Sequence, residues 1–269
     1  MHCVSFKLFF STVAWLLLMS TSSHAAGDAD SNTVSVEYLE GGSERCVVLL
    51  HGLARTSSSM SKLGDALKSE GYSVALVDYP SRDYSVEVLS NLAVEAGLQR
   101  CRKHGHARLY FVTHSLGGIL IRAYLTEHVI PELERIVMLA PPNHGSAVVD
   151  NVKGIPGVAW LNGPAFLQIG TDELSLPVNL GKIAVDTAVI AGTRSVNLIL
   201  SIFLENPDDG KVSLESARLE GMCAMLAIAV SHPFIMKDEV AIEQTLVYLN
   251  TGEFSLSSAE YPDCASRKS

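Results

Sequence analysis

From Cys46 onward the chain is punctuated by short apolar runs: CVVLLHG, YSVALVDYP, RLYFVTH, RIVMLAP, TAVIAGT and LAIAVSH. Their apolar residues are consecutive rather than alternating, which predicts strands buried on both faces, as in a parallel sheet covered by helices. Between them apolar residues fall three and four apart, at Met60, Leu63 and Leu67, then at Leu89, Leu92, Ala93 and Ala96. Ile242, Leu246 and Leu249 repeat the spacing after the last run. That period lines one face of a helix. Strands alternating with helices imply right-handed crossovers and an open, mostly parallel α/β sheet of about six strands with helices on both faces. Upstream, TVSVEYLE reads as an additional edge strand.

One interval breaks the alternation. Residues 141–186 are rich in Gly and Pro yet carry Val148, Val149, Ile155, Val158, Trp160, Leu161, Phe166 and Leu167, too much apolar surface for a solvated loop. A small cap of short helices is expected there, extending the core, walling a pocket, or both. The main domain is expected over 45–254. Residues 26–44 precede it, and a polar tail, 255–269, follows with Cys264 as its one candidate anchor.

The first residues, MHCVSFKLFFSTVAWLLLMSTSSHAAG, have Lys7 as their only charged side chain, an apolar run from Leu8 to Met19, and small residues ending in Ser23-His24-Ala25. This is the order of a secretory signal peptide over residues 1–25, cleaved near Ala25 or Ala26; an uncleaved anchor is the competing reading. Cys3 precedes the apolar run, so no lipid-attachment cysteine follows it. No later segment is long and apolar enough for a span, and a periplasmic or secreted product is expected. The formal charge of −9 and the lack of a basic cluster argue against nucleic acid as a partner. Cys46, Cys101, Cys223 and Cys264 would remain after processing, with three possible pairings. Cys46 opens one strand and Cys101 closes the helix before RLYFVTH, so these two would meet at the amino-terminal edge if their strands are neighbours. No closely spaced His/Cys group suggests a metal, and no cofactor is expected.

In open α/β sheets ligands sit at the carboxyl ends of the strands. Ser115 follows RLYFVTH and precedes Leu116-Gly117-Gly118 and the helical ILIRAYLTEH. A helix-capping serine is the plain reading. The stretch is also close to G-x-S-x-G, with Thr113 in place of the first glycine, a turn that lifts a nucleophilic hydroxyl clear of the backbone. A serine needs an imidazole to take its proton. His232, at the end of LAIAVSH, is best placed. His51 and His114 look structural, His114 being expected to point to the opposite side of its strand, and His144 in PPNHGS is the serious rival. An acid must then orient the imidazole, and Asp208 or Asp209 in ENPDDGKVSLESA lies one strand earlier. Gly52 in VVLLHGLART frees the backbone so that the Leu53 amide, with that of Leu116, can face a developing oxyanion.

CVVLLHGLART, FVTHSLGGIL, VMLAPPNHGS and DDGKVSLESA together resemble the bacterial α/β-hydrolase superfamily, in particular its secreted and periplasmic lipase- and esterase-like members. The resemblance spans Cys46 to about Phe254. It implies the α/β-hydrolase fold, a triad of Ser115, Asp209 and His232, and oxyanion amides from Leu53 and Leu116. It further implies an exported serine hydrolase of carboxylic esters acting on a small acyl ester or lipid. An acyltransferase of the same fold is the first alternative and a non-catalytic binding protein the second. The calcium site of some such lipases is not carried over, because Pro233-Phe234-Ile235-Met236-Lys237 follows His232. Medium-length acyl chains are expected to be preferred to acetyl, on the apolar content of 141–186.

Overall fold

The computed structural model describes residues 33–195 and 204–264; the signal segment and the end of the tail lie outside them. TVSVEYLE supplies β1 (Ser35–Leu39). The six apolar runs supply β2 (Arg45–Leu50), β3 (Ser73–Asp78), β4 (Arg108–His114), β5 (Leu133–Leu139), β6 (Thr187–Gly192) and β7 (Ala224–Ile228). Their order across the sheet is β1-β3-β2-β4-β5-β6-β7. Only β1 runs antiparallel, against β3. The sheet thus has seven strands rather than about six, and the added one is the partly exposed edge that its mixed polar pattern allows.

Side chains of a strand point alternately to opposite faces, and each face of this sheet has its own apolar layer. Val48 and Leu50 of β2 pack with Leu89, Ala93 and Leu98 of α2 (Val86–Lys103) and with Ile119 and Leu120 of α3 (Leu116–Glu127). Val47 and Leu49 pack on the other face with Leu63 and Leu67 of α1 (Ser61–Ser69) and with Ile242 and Leu249 of the C-terminal helix, Glu239–Thr251. The helical spacings in the sequence are therefore largely the faces turned to the sheet, except at Leu92, which is 41% exposed.

The β5–β6 connection holds α4 (Ala147–Val152), α5 (Val158–Asn162), α6 (Pro164–Gln168) and α7 (Leu176–Asn179). Its ends are tied to α3 by Arg122, which donates to the carbonyls of Asn143, Pro177 and Gly181 and to Asn143 Oδ1. Burial lowers the Arg122 guanidinium to about 10. Beyond β6, α8 (Leu214–Ala217) precedes β7, and the C-terminal helix is α9.

Disulfides join Cys46 to Cys101 and Cys223 to Cys264. β2 and β4 are indeed neighbours, with Cys46 opposite Leu109, which brings the first pair together at the amino-terminal edge. The second pair and a two-residue bridge between Met225 and Glu260 lay the tail along β7, covering an edge that would otherwise expose unpaired backbone.

Candidate active site

Ser115 occupies the turn between β4 and α3 with φ 51° and ψ −117°. A positive φ is costly for a residue with a Cβ and is kept only where the surroundings enforce it. Here the Ser115 amide donates to Leu139 O at 2.9 Å, binding the turn to β5. Gly117 lets α3 start against β2, since a Cβ there would lie 2.6 Å from Leu50 O. Thr113 is fully buried, and its Oγ1 finds no hydrogen-bond partner.

The structure brings Ser115, His232 and Asp209 into one hydrogen-bonded chain. Ser115 Oγ lies 3.0 Å from His232 Nε2, and His232 Nδ1 lies 2.7 Å from Asp209 Oδ2. A carboxylate can only accept, so Nδ1 carries the hydrogen and Nε2 is left free to receive one from serine. Asp209 Oδ1 accepts from the amides of Lys211 and Val212, at 3.0 and 2.8 Å. Its neighbour turns away: Asp208 Oδ1 accepts from the Gly210 amide at 2.7 Å, within the same tight turn. Gly192 admits this loop, because a Cβ there would stand 2.8 Å from Asp209 Cβ.

Neither of the two expected amides donates to a loop or turn carbonyl among the described residues. Leu116 opens α3, so its N–H has no acceptor within the helix. Leu53 N–H makes no hydrogen bond among the described residues. The preceding His51 is a core residue. It lies parallel to Tyr79 with centroids 3.9 Å apart, donates from Nδ1 to Gly52 O, and accepts from the Tyr79 amide.

Two sequence expectations need correction. β7 stops at Ile228, so His232 lies on the loop beyond rather than at the strand's end, where the Val230 amide turns back to donate to Ile228 O. His114 does not point to the opposite side of its strand. Its ring is 4.9 Å from that of His232, and its Nε2 donates to the His232 carbonyl at 3.2 Å. Desolvation, with His232 nearby, holds its pKa well below that of an ordinary histidine. His144 is exposed and belongs to a separate hollow with Ser213 and Ser216, away from Ser115.

Ser115 and His232 open into a pocket of about 100 Å³, walled by Leu53, Pro142, Val148, Val149, Phe166 and Ile169 and edged by Arg55 and Lys211. The β5–β6 connection therefore divides. Val148, Val149 and Phe166 are buried against the pocket, whereas Ile155, Trp160, Leu161 and Leu167 are exposed, Trp160 by 88%. Sequence reasoning missed Arg55, Lys211 and Arg122; only the fold places these cations, and no local pattern marks them.

The alpha/beta hydrolase family model matches residues 47–209, more than half of the chain. The chain belongs to the alpha/beta hydrolase family. No curated protein matches this alpha/beta hydrolase in sequence. Among solved structures, the Bacillus licheniformis lipase BlEst2 in its mature form matches with a TM-score of 0.63 and 18% identity, covering 80% of this chain and 97% of that one. Phospholipase PlaB from Legionella pneumophila matches at 0.59 and 18%, over 77% of this chain and 57% of its own. A Bacillus megaterium epoxide hydrolase matches at 0.51 and 14%, over 81% and 98%. At these identities the likeness is one of fold, and a fold that carries lipases and an epoxide hydrolase leaves the choice of bond to the site.

Proposed function

We propose that this alpha/beta hydrolase is an exported serine hydrolase that cleaves carboxylic esters through an acyl-enzyme on Ser115. The hydrogen-bonded chain Asp209–His232–Ser115, opening into a pocket from a strained turn, carries the reading. Ser115 Oγ attacks the ester carbonyl as its proton passes to His232 Nε2. Asp209 stabilises the imidazolium and fixes its orientation. The amides of Leu53 and Leu116 receive the oxyanion, and His232 returns the proton to the departing alcohol. Water then repeats the sequence on the acyl-enzyme. Residues 141–186 act as a cap over the acyl group. Export is supported by the leader-like N-terminus and by two disulfides, which persist in oxidising compartments.

The test is labelling of the exported protein by a fluorophosphonate, with hydrolysis of p-nitrophenyl butyrate measured in parallel. Stoichiometric label on Ser115 and ester turnover, both absent in Ser115→Ala, are expected. A protein that takes no label and cleaves no ester would end the hydrolase reading.

A further inference from the structure

Arg55 and Lys211 are cations on the wall of the Ser115 pocket in this acidic chain. Arg102, Arg108, Arg135, Lys153 and Arg218 each pair with a carboxylate. Arg55 and Lys211 have no carboxylate at ion-pair distance among the described residues, and no acidic side chain lines the pocket they share with Ser115. Asp209, the carboxylate that acts on Lys211, is committed to His232 and two amides.

Neither cation is needed as a charge to build the loop that carries it. Lys211 contributes its backbone to the fold: its amide donates to Asp209 Oδ1, and its carbonyl accepts from Ser146 Oγ at 2.7 Å. Any residue with a backbone N–H would serve there. Lys211 is exposed as a residue and lines the pocket, and crowding by protein, then the nearby Arg55, holds its ammonium below the ordinary lysine range. Arg55 is also lowered by burial, and one arm of its guanidinium donates to Pro233 O at 3.3 Å. Two like charges in a partly desolvated pocket oppose each other, and an anion between them would offset that repulsion.

We propose, on the hydrolase reading above, that Arg55 and Lys211 form an anion subsite and that the substrate is an ester whose alcohol half carries a carboxylate, phosphate or sulfonate. The alcohol half is indicated by placement. Lys211 is two residues beyond Asp209, and Arg55 is bonded to the residue after His232, so both flank the base that protonates the leaving oxygen. The acyl C–O bond breaks, that oxygen takes the proton from His232 Nε2, and the anionic group leaves unchanged on the alcohol. Apolar Val148, Val149 and Phe166 are left to the acyl chain.

The experiment compares kcat/KM for 4-carboxyphenyl butanoate with that for the near-isosteric, neutral 4-carbamoylphenyl butanoate. It is run on wild type, Lys211→Gln, Lys211→Glu and Arg55→Gln, with 4-nitrophenyl hydrogen glutarate against 4-nitrophenyl pentanoate as the acyl-side control. The anionic-to-neutral ratio should fall about tenfold or more in Lys211→Gln and Arg55→Gln and further in Lys211→Glu, as expected for loss and reversal of a charge at a partly shielded site. The glutarate-to-pentanoate ratio should stay constant. Using ratios removes any general loss of folded enzyme and the intrinsic difference between the esters. Ratios that do not move, or a change confined to the glutarate pair, would overturn the subsite while hydrolysis of the neutral ester kept the hydrolase reading intact. Failure to cleave any of the esters, with no fluorophosphonate label, would end both.

Discussion

The strand-end loops and the β5–β6 connection both meet the pocket, yet they are built in opposite ways. At the strand ends each candidate group is held by backbone: Ser115 by its bond to Leu139, Asp209 by two amides, His232 by its amide to Asp209 O. In the connection the helices are four to six residues long and keep large apolar side chains in solvent. Elements that short draw their stability from the contacts they rest on, not from helix propagation. Chemistry needs the first kind of construction, because sub-ångström errors in a proton relay are costly. Shape selection tolerates the second.

The contrast is sharpest for the relay itself. Ser115→Ala and His232→Ala should each lower kcat for ester hydrolysis by about 10⁴–10⁶ with the fold retained, as in other triads. His144→Ala should do little; an inactive His144→Ala beside a fully active His232→Ala would move the base to the connection and invert the comparison. Asp209→Asn should cost about 10⁴ by stabilising the wrong histidine tautomer. Asp208→Asn should cost less than about tenfold, roughly 1.4 kcal/mol, since it caps a turn. Steady-state kinetics on the pair decides, and the reverse pattern would reassign the acid.

How much of this could be read from the chain follows the same division. Consecutive apolar residues such as Val47–Leu50 announce a buried strand because two helical layers impose the same demand on both faces. Ser115 and His232 could be singled out as candidates because groups at or just beyond strand ends are where such a sheet presents a site. Choosing Asp209 over Asp208 needed family resemblance, as both precede Gly210 and either could face a ring. The His114 ring beside His232, the Arg122 tie and the presence of Arg55 and Lys211 in one pocket were not legible. Each joins segments far apart in sequence, through contacts that leave no periodicity. The connection was legible only in bulk, since composition does not say which of Phe166 and Trp160 turns inward.

Stability should report the sheet and its loops in two further ways. The Cys46–Cys101 bridge closes a separation of 55 residues, which by loop entropy is about 4 kcal/mol. Denaturant unfolding of the Cys46→Ala/Cys101→Ala protein should show a loss of that order, and an unchanged midpoint would mean that the bridge adds nothing. His51 and His114 are both held below the ordinary histidine pKa by burial. The unfolded chain binds their protons near pH 6.5 and the folded one does not, so stability should fall as pH drops below about 6.5, by up to about 1.4 kcal/mol per pH unit for each ring. His114→Gln should flatten that slope between about pH 6.5 and 5; an identical slope would show that the ring is protonated in the folded state.

The smallest effects belong to the connection, and they separate its two sides. Phe166 is 7% exposed and lines the pocket, whereas Trp160 on the neighbouring short helix is 88% exposed and does not. Each acyl methylene buried against such a wall adds up to about 0.8 kcal/mol, roughly fourfold in kcat/KM. The pocket, at about 100 Å³, is smaller than the roughly 300–1,000 Å³ of most ligand sites. Preference should therefore rise from acetyl and stop after a few carbons, an earlier optimum than the apolar content of residues 141–186 suggests. Phe166→Ala should shift the optimum to longer chains. Trp160→Ala should leave chain-length selectivity unchanged and alter stability by no more than about 0.5 kcal/mol. A p-nitrophenyl ester series from acetate to decanoate measures this directly. If acetate is best and the profile declines identically in wild type and Phe166→Ala, the inner side of the connection does not touch the acyl chain, and the difference between its two sides is one of packing alone.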